Sequence, residues 1–382
     1  MENKSKRVLI ACDSSATLLG FRGKLIAELV KSNEVHVFTP KICCDATADQ
    51  LKAMQVIVHE NALNGSNVAV FSDLKYIYQL FQLIRTIKPD IFFPYTFKPV
   101  IYGTVIAKLC KVNRITPMLT GLGYNFAPQA AKRSFISHIT GHLLKWSLLY
   151  SERQHIIFQN QDDYHTLLKG GIISKRHKAF IVNGSGVDLS NYKYSIPNTR
   201  YISFLMISRL INAKGVKEFY EAAKLVQQKF PEIKFKLLGP YDNNIDAIDQ
   251  ELYALIRSGE VLEYLGQVDD VRPHIKAASI LVLPSYYGEG VPRCMLEGMA
   301  MGRAIITCDS VGCRETINPS AKQPNGFLIP VKNITALASK MEHYIHHTKD
   351  ILIYGVNGRK FAKEKFDVNL VNAAMLKIMQ LN

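Results

Sequence analysis

The property that most constrains this sequence is an alternation of short β-rich runs with longer helix-compatible segments. In the first half the runs fall at residues 7–12, 34–39, 56–60, 90–95, 115–120, 155–160 and 179–183, with helix-compatible segments at 21–31, 73–88 and 100–111. Such alternation specifies a parallel, doubly wound α/β sheet. A polar stretch at 188–200, containing Asn191, Ser195, Pro197 and Asn198, reads as an interdomain linker. The pattern then restarts, with strands at 201–208, 234–239, 261–266, 280–285 and 304–308 and helices at 215–230, 246–257, 271–278 and 292–301; the tail at 333–380 is mostly helical. A chain of 382 residues exceeds one ordinary core. The expectation is two Rossmann-like domains, 1–190 and 200–360, facing a cleft, with residues 361–382 forming a helix that packs back on the first. In such sheets ligands bind at the C-terminal ends of the strands.

The formal net charge of +15 favours anionic partners. It is uneven, with 23 Lys and Arg against 13 Asp and Glu in residues 1–190. The seven cysteines are odd in number and include no C-x-x-C pair, which argues against a zinc site or a disulfide framework and suits a reducing cytosol. The apolar run at 8–12 is too short for a signal peptide, and no stretch has the length of a spanning helix. His138 and His142 are four apart but have no evident third ligand. No nucleic-acid motif accompanies the basic charge.

The chemistry concentrates in LVLPSYYGEGVPRCMLEGMAMG, residues 281–302. A buried strand ends at Pro284-Ser285, a turn follows, and a helix begins with Pro292 near its first position. Backbone N–H groups at Gly290, Val291 and the first helical turn can hold a pyrophosphate, and Gly288 and Gly290 allow close approach. Glu289 in the turn and Glu297 two turns into the helix can meet a sugar and a ribose. After the first strand of the second half, Arg209 offers a fork and Lys214 a point charge for a diphosphate. Gly239, Gln267 and Val268 end the next two strands, where they would wall a nucleotide pocket and offer backbone to a uracil.

This set resembles the family 4 glycosyltransferases. The resemblance rests on SRLINAKGVKEF, KLLG, YLGQVDDV, LPSYYGEGVPRCMLEGMAMGRAII, VGCRETI and NGFL, and spans residues 201–328. Within the family the chain is most similar to bacterial transferases of O-antigen, capsule and N-glycan assembly, which extend a sugar on undecaprenyl pyrophosphate, often with N-acetylgalactosamine. The resemblance implies a GT-B fold and a UDP-sugar donor. It assigns Glu289 to the donor sugar, Glu297 to the ribose, and Arg209 and Lys214 to the diphosphate. It also implies retention of anomeric configuration by front-face displacement, in which leaving-group stabilisation matters more than a nucleophile. No metal is expected, and no D-x-D signature is present. Gly20-Phe21-Arg22-Gly23 resembles the family's glycine-containing loop near diphosphate and acceptor. Thr120 stands where many relatives carry a catalytic His and would hydrogen-bond the donor sugar. Asn183-Gly184-Ser185-Gly186-Val187-Asp188 resembles a structural segment at the domain junction.

Residues 128–153 form a basic amphipathic segment. It combines Phe135, Ile136, Ile139, Leu143, Leu144, Trp146, Leu148 and Leu149 with Lys132, Arg133, Lys145 and Arg153. Such a segment can lie in a membrane interface, against the plainer reading of a helix packed on the sheet edge. The expected protein is therefore a cytoplasmic sugar transferase, peripheral to the inner membrane face, using a UDP-sugar and a lipid-linked saccharide acceptor. Competing readings are a GT-B enzyme on a soluble substrate (a soluble-acceptor transferase or a UDP-sugar epimerase) and a non-enzymatic sugar-nucleotide sensor.

Overall fold

A computed structural model describes residues 5–63, 70–123, 135–241 and 246–381, with no side-chain description for 70 and 135–138. The chain divides into two compact units, residues 1–185 with 371–382, and residues 186–370.

The first unit contains β1 (Arg7–Ala11), β2 (Glu34–Pro40), β3 (Ile57–Asn61), β4 (Ile91–Pro94), β5 (Arg114–Ile115), β6 (Met118–Leu119), β7 (His155–Phe158) and β8 (Lys178–Ile181). All pair in parallel, in two sheets of order 3-2-1-4-5 and 6-7-8. The expected single strand at 115–120 is in fact two. Pro117 has no N–H for a ladder, so pairing changes hands there: Thr116 N donates to Phe92 O, and Pro117 O accepts from Ile157 N. Among the described residues, only the isolated bridges Tyr95↔Met118 and Ile115↔Gln154 join the two ladders.

The second unit is one six-stranded parallel sheet. Its strands are β9 (Ser203–Ile207), β10 (Lys234–Leu238), β11 (Glu263–Tyr264), β12 (Ile280–Leu283), β13 (Ala304–Cys308) and β14 (Gly326–Ile329), in the order 11-10-9-12-13-14. The order reverses between β9 and β12. In sheets of this kind the loops leaving the two strands at such a reversal diverge to opposite faces and open a crevice at the C-terminal edge. The core below is aromatic: Phe204 stacks on Phe235 with centroids 5.3 Å apart, and Phe219 packs edge-on.

Two boundaries differ from expectation. The polar stretch at 188–200 belongs to the second unit. It is fastened by the buried Arg303 guanidinium, which donates to the carbonyls of Ser195, Ala278 and Met301, while Ser195 N donates to Met301 O. The tail is three helices, Ile334–His346, Thr348–Lys365 and Val368–Met379. The unit boundary falls at 370/371, so residues 361–370 stay with the second unit. Within the last helix, Val371, Met375, Ile378 and Met379 complete the core around Val8 and Ile10 of the first unit. Residues 186–187 and 366–368 run side by side, with Val187 N on Phe366 O and Val368 N on Val187 O. Gly186 is required there: its φ is +71°, and a Cβ would lie 2.7 Å from Val368 Cα.

Helix Thr348–Lys365 approaches the sheet through Gly355, where a Cβ would fall 2.1 Å from the Gly302 carbonyl oxygen. Gly355→Ala gains roughly 1 kcal/mol of helix propensity. The neighbouring atom is backbone and cannot rotate away, so overpacking of about 1–3 kcal/mol should win. Thermal melting should show a Tm several degrees lower, and a Tm at or above wild type would mean the helix shifts freely.

Candidate active site

The expected donor-site residues of the second unit gather where β9 and β12 end. The chain leaves β9 through Ser208 and Arg209 and turns at a 3-10 segment, Asn212–Lys214. This turn is held by Asp246, whose backbone O accepts from Asn212 N at 2.8 Å and whose Oδ2 accepts from Ala213 N at 3.1 Å. Gly215 follows at φ +79°, where a Cβ would sit 2.3 Å from Pro284 O. Only glycine lets the β9 loop pass so close to the end of β12, and Tyr286 N then bonds Ala213 O at 2.8 Å.

That approach brings together two of the expected residues. Lys214 Nζ forms an ion pair with Glu289 Oε1, and Ser285 Oγ donates to the same oxygen at 3.0 Å. Burial opposes the Lys214 charge, but Glu289 outweighs it and holds the ammonium pKa above the ordinary lysine range. The Tyr287 ring faces both cations, with Lys214 Nζ at 5.0 Å and the exposed Arg209 Cζ at 5.9 Å from its centroid. In the sequence Tyr287 is marked only by the repeated aromatic before Gly288.

Beyond the turn, Pro292 is the N-cap of helix Arg293–Ala300, just outside it. Glu297 is the fifth residue of that helix, little more than one turn in, where two turns were expected. Its Oε1 accepts from Arg293 Nε at 2.6 Å and from Tyr192 OH at 2.8 Å. Half-buried Cys294 lies in the field of both carboxylates. Burial pushes its thiol above the usual range, Lys214 counteracts this, and Glu297 and Glu289 add to it. Gly290 and Val291 are buried, and the segment after β13 reaches them through Gly312, whose Cβ would be 2.3 Å from Glu289 O. This close approach is the physical content of the VGC motif. Gly239 N bonds Gly266 O at 2.8 Å, joining the ends of β10 and β11, with Gln267 exposed and Val268 half-buried beyond.

In the first unit Gly20 and Gly23 lie inside helix Leu18–Leu29, not in a loop. An added Cβ on Gly23 would meet only Leu19, at 3.6 Å, so no close backbone approach requires glycine there. Arg22 is buried against Met118, Phe93 and Tyr95. Thr120 follows β6 and is half-buried, leading into Gly121 at φ +117°. Beneath this loop is a residue that motif reading missed. Asp163, 2% exposed, accepts from Asn160 Nδ2 and interacts with the backbone of Leu122. Burial raises its pKa to about 7, with Asn160 opposing and Asp162 adding to the shift. An Asn-x-x-Asp helix start directly after an apolar strand was its only signal.

In the segment at 128–153, Lys132 and Arg133 and the side chains of Phe135, Ile136 and His138 lie outside the described residues. Helix Phe135–Ser147 buries Leu144, and Leu148 is buried just beyond its end, so these two belong to the core, not to an interface. Ile139, Leu143, Trp146 and Leu149 are exposed. No helix among the described residues is long and apolar enough to cross a membrane.

Comparison with known proteins agrees with this architecture. The family described as Glycosyl transferase 4-like matches residues 9–160, and Glycosyl transferases group 1 matches residues 202–347. The chain is 26% identical over 388 residues to the N,N'-diacetylbacillosaminyl-diphospho-undecaprenol alpha-1,3-N-acetylgalactosaminyltransferase of Campylobacter jejuni, covering 97% of this chain and 98% of that one. It is 24% identical to an Escherichia coli UDP-Gal:alpha-D-GlcNAc-diphosphoundecaprenol alpha-1,3-galactosyltransferase, covering 72% and 71%. Anabaena HepE, solved with UDP and glucose, shares the fold at TM-score 0.76 and 17% identity, covering 98% and 99%.

Asp163 gives a pH test. Its folded pKa lies above the unfolded value near 3.8, so its stabilising contribution is complete below about pH 4 and is lost as pH rises through about 7. Between those limits wild type should lose stability relative to Asp163→Asn, measured as the difference in Tm. A constant difference would mean Asp163 does not titrate there. With the two family matches in register with the two units, the chain belongs to the glycosyltransferases, 4-like in its first half and group 1 in its second.

Proposed function

We propose that the protein is a retaining glycosyltransferase that moves a sugar, a HexNAc such as GalNAc, from a UDP-sugar to an undecaprenyl-pyrophosphate-linked saccharide in bacterial surface polysaccharide assembly. The observation that carries this reading is the Lys214–Glu289 pair at the β9/β12 switch, in the loop that leads into the helix bearing Glu297. Lys214 and Arg209 then take the diphosphate, Glu289 the sugar hydroxyls, and Glu297 the ribose. Gly239, Gln267 and Val268 take the base. The names of the Campylobacter and Escherichia relatives support the lipid-diphosphate acceptor. The acceptor is assigned to the first unit, with Thr120 and Gly20 at the C-terminal edge of its sheet.

Departure of UDP builds negative charge on the β-phosphate. In this reading Lys214, Arg209 and the N–H groups of Gly290, Val291 and the first helical turn neutralise it without a metal ion. Glu289 has a double task in this scheme. It keeps Lys214 charged in a largely buried position, and it accepts hydrogen bonds from the sugar as the anomeric centre becomes cationic.

Membrane association follows from charge and exposed apolar surface. Between Asp90 and Glu152 the chain has seven Lys and Arg and no acidic residue. Trp146, 60% exposed, stands on the outer stripe of helix Phe135–Ser147 with Ile139 and Leu143. An anionic inner-leaflet surface complements this region.

The direct assay is UDP release, in EDTA, from a panel of UDP-, GDP- and dTDP-sugars with undecaprenyl-pyrophosphate-linked acceptors. Glu289→Gln should lower turnover roughly 10- to 150-fold, the effect of losing about 1.5–3 kcal/mol of hydrogen bonding to a charge in the transition state. UDP affinity should not weaken in that variant, since Lys214 is then free for phosphate. Lys214→Ala should weaken UDP in calorimetry. Turnover within twofold of wild type for Glu289→Gln, or a requirement for manganese, would overturn the mechanism.

Sedimentation with anionic liposomes tests the surface. Wild type should bind at low salt and be released only partly by raising it, because screening acts on the charged part alone. Trp146→Asp and Lys145→Glu should reduce binding while the protein stays folded, whereas Leu144→Asp should unfold the first unit. A wild type that ignores liposomes at low salt would favour a soluble acceptor.

A further inference from the structure

Glu297 is gripped from outside its own helix. Both of its side-chain hydrogen bonds, from Arg293 Nε and from Tyr192 OH, fall on Oε1 and neither on Oε2. Tyr192 comes 105 residues earlier, in the irregular stretch that follows the Gly186 crossing, and is 7% exposed.

A residue in irregular chain can aim a hydrogen bond only if its own backbone is fixed, and this one is. Tyr192 N donates to Asp188 O at 2.9 Å. Asp188 Oδ1 accepts from Ser190 N at 3.0 Å and Asn191 N at 3.3 Å, which closes the turn. The Tyr192 carbonyl accepts from Arg359 Nη1 at 2.8 Å, and the same nitrogen reaches Ala300 O at 2.6 Å, the last residue of the Glu297 helix. Arg359 Nη2 adds Leu189 O at 3.3 Å. The tyrosine is thus clamped to that helix twice, by its hydroxyl at Glu297 and through Arg359 at the C-terminus.

The hydroxyl is held in its donor form. Burial, and then the Glu297 charge, push the Tyr192 pKa well above the ordinary tyrosine range. The terminal torsion of a glutamate is broad and nearly two-fold, so one donor on its own helix leaves the carboxylate plane loosely set. A second donor on the same oxygen, arriving from a different segment, defines the plane and leaves Oε2 unengaged by either.

We infer that Tyr192 is a positioning residue for nucleotide binding, whose hydroxyl joins Arg293 in holding Oε1 of Glu297 so that Oε2 meets the ribose hydroxyls of a uridine diphosphate. The inference rests on the assignment of Glu297 to the ribose made above. It adds a residue that belongs to none of the motifs, and it ties the nucleotide site to the segment through which the chain enters the second unit.

UDP calorimetry on wild type, Tyr192→Phe, Glu297→Ala and the double variant tests it, with thermal melting of each. Tyr192→Phe keeps the ring and removes one oxygen. Its UDP Kd should rise roughly tenfold, the scale of one hydrogen bond to a charged group. In the Glu297→Ala background the same change should add nothing, because the group it positions is gone. A purely structural role would lower Tm and weaken both backgrounds alike, and that result overturns the inference. So does a Tyr192→Phe variant that binds UDP as wild type while Glu297→Ala binds weakly. If Glu297→Ala itself binds UDP as wild type, the ribose assignment fails and the role of Tyr192 fails with it.

Discussion

The site depends on one close approach, that of Gly215 to the Pro284 carbonyl. Strands β9 and β12 are neighbours in the sheet, but in sheets of this kind the loops at such a reversal leave toward opposite faces. They can touch only where a backbone without a side chain passes within van der Waals distance of another. Any Cβ at 215 would overlap Pro284 O, pushing Lys214 off Glu289 and breaking the Tyr286–Ala213 bond. The ion pair, the aromatic face of Tyr287 and the entry of helix Arg293–Ala300 all follow from that contact.

The pair itself is an unusual arrangement for stability alone. Lys214 and Glu289 retain 15% and 12% of their side-chain exposure, so both are largely desolvated. A buried pair of this kind contributes little net stability compared with apolar residues of the same volume, yet losing one partner costs about 3–5 kcal/mol. Under the function proposed above, such a pair would present a cation and an anion to one ligand, with Glu289 keeping the cation charged.

Much of this was legible in the sequence, and the failures have physical causes. Strand and helix alternation gave both sheets because fully buried parallel strands are apolar and the helices between them are long. That Arg209, Lys214, Glu289 and Glu297 sit on the segments following β9 and β12 was legible because loops at a switch point draw on short, ordered motifs. Residues 115–120 read as one strand because apolar content hides the effect of a single Pro117, which matters only when a neighbour requires its N–H. Gly20 and Gly23 were expected in a loop on the family resemblance alone; the helix begins earlier, and packing of Leu18, Leu25 and Leu29 carries both glycines within it. The 188–200 stretch read as a linker because it is polar, and nothing local announces that Arg303, a century of residues away, binds its carbonyls. Tyr192 and Asp163 escaped for the same reason: their partners are distant in sequence or are backbone.

Pro117 has a mechanical consequence. The first unit's sheet is two hydrogen-bonded ladders joined at a seam of isolated bridges, so the smaller ladder, β6 to β8, can breathe without unzipping the larger one. Thr120 and the Asp163-supported loop ride on the smaller ladder. A fault line through an otherwise continuous sheet therefore leaves this edge tied to the five-stranded ladder more by the shared core of Met118 and Ile157 with Val8 and Ile10 than by backbone hydrogen bonds.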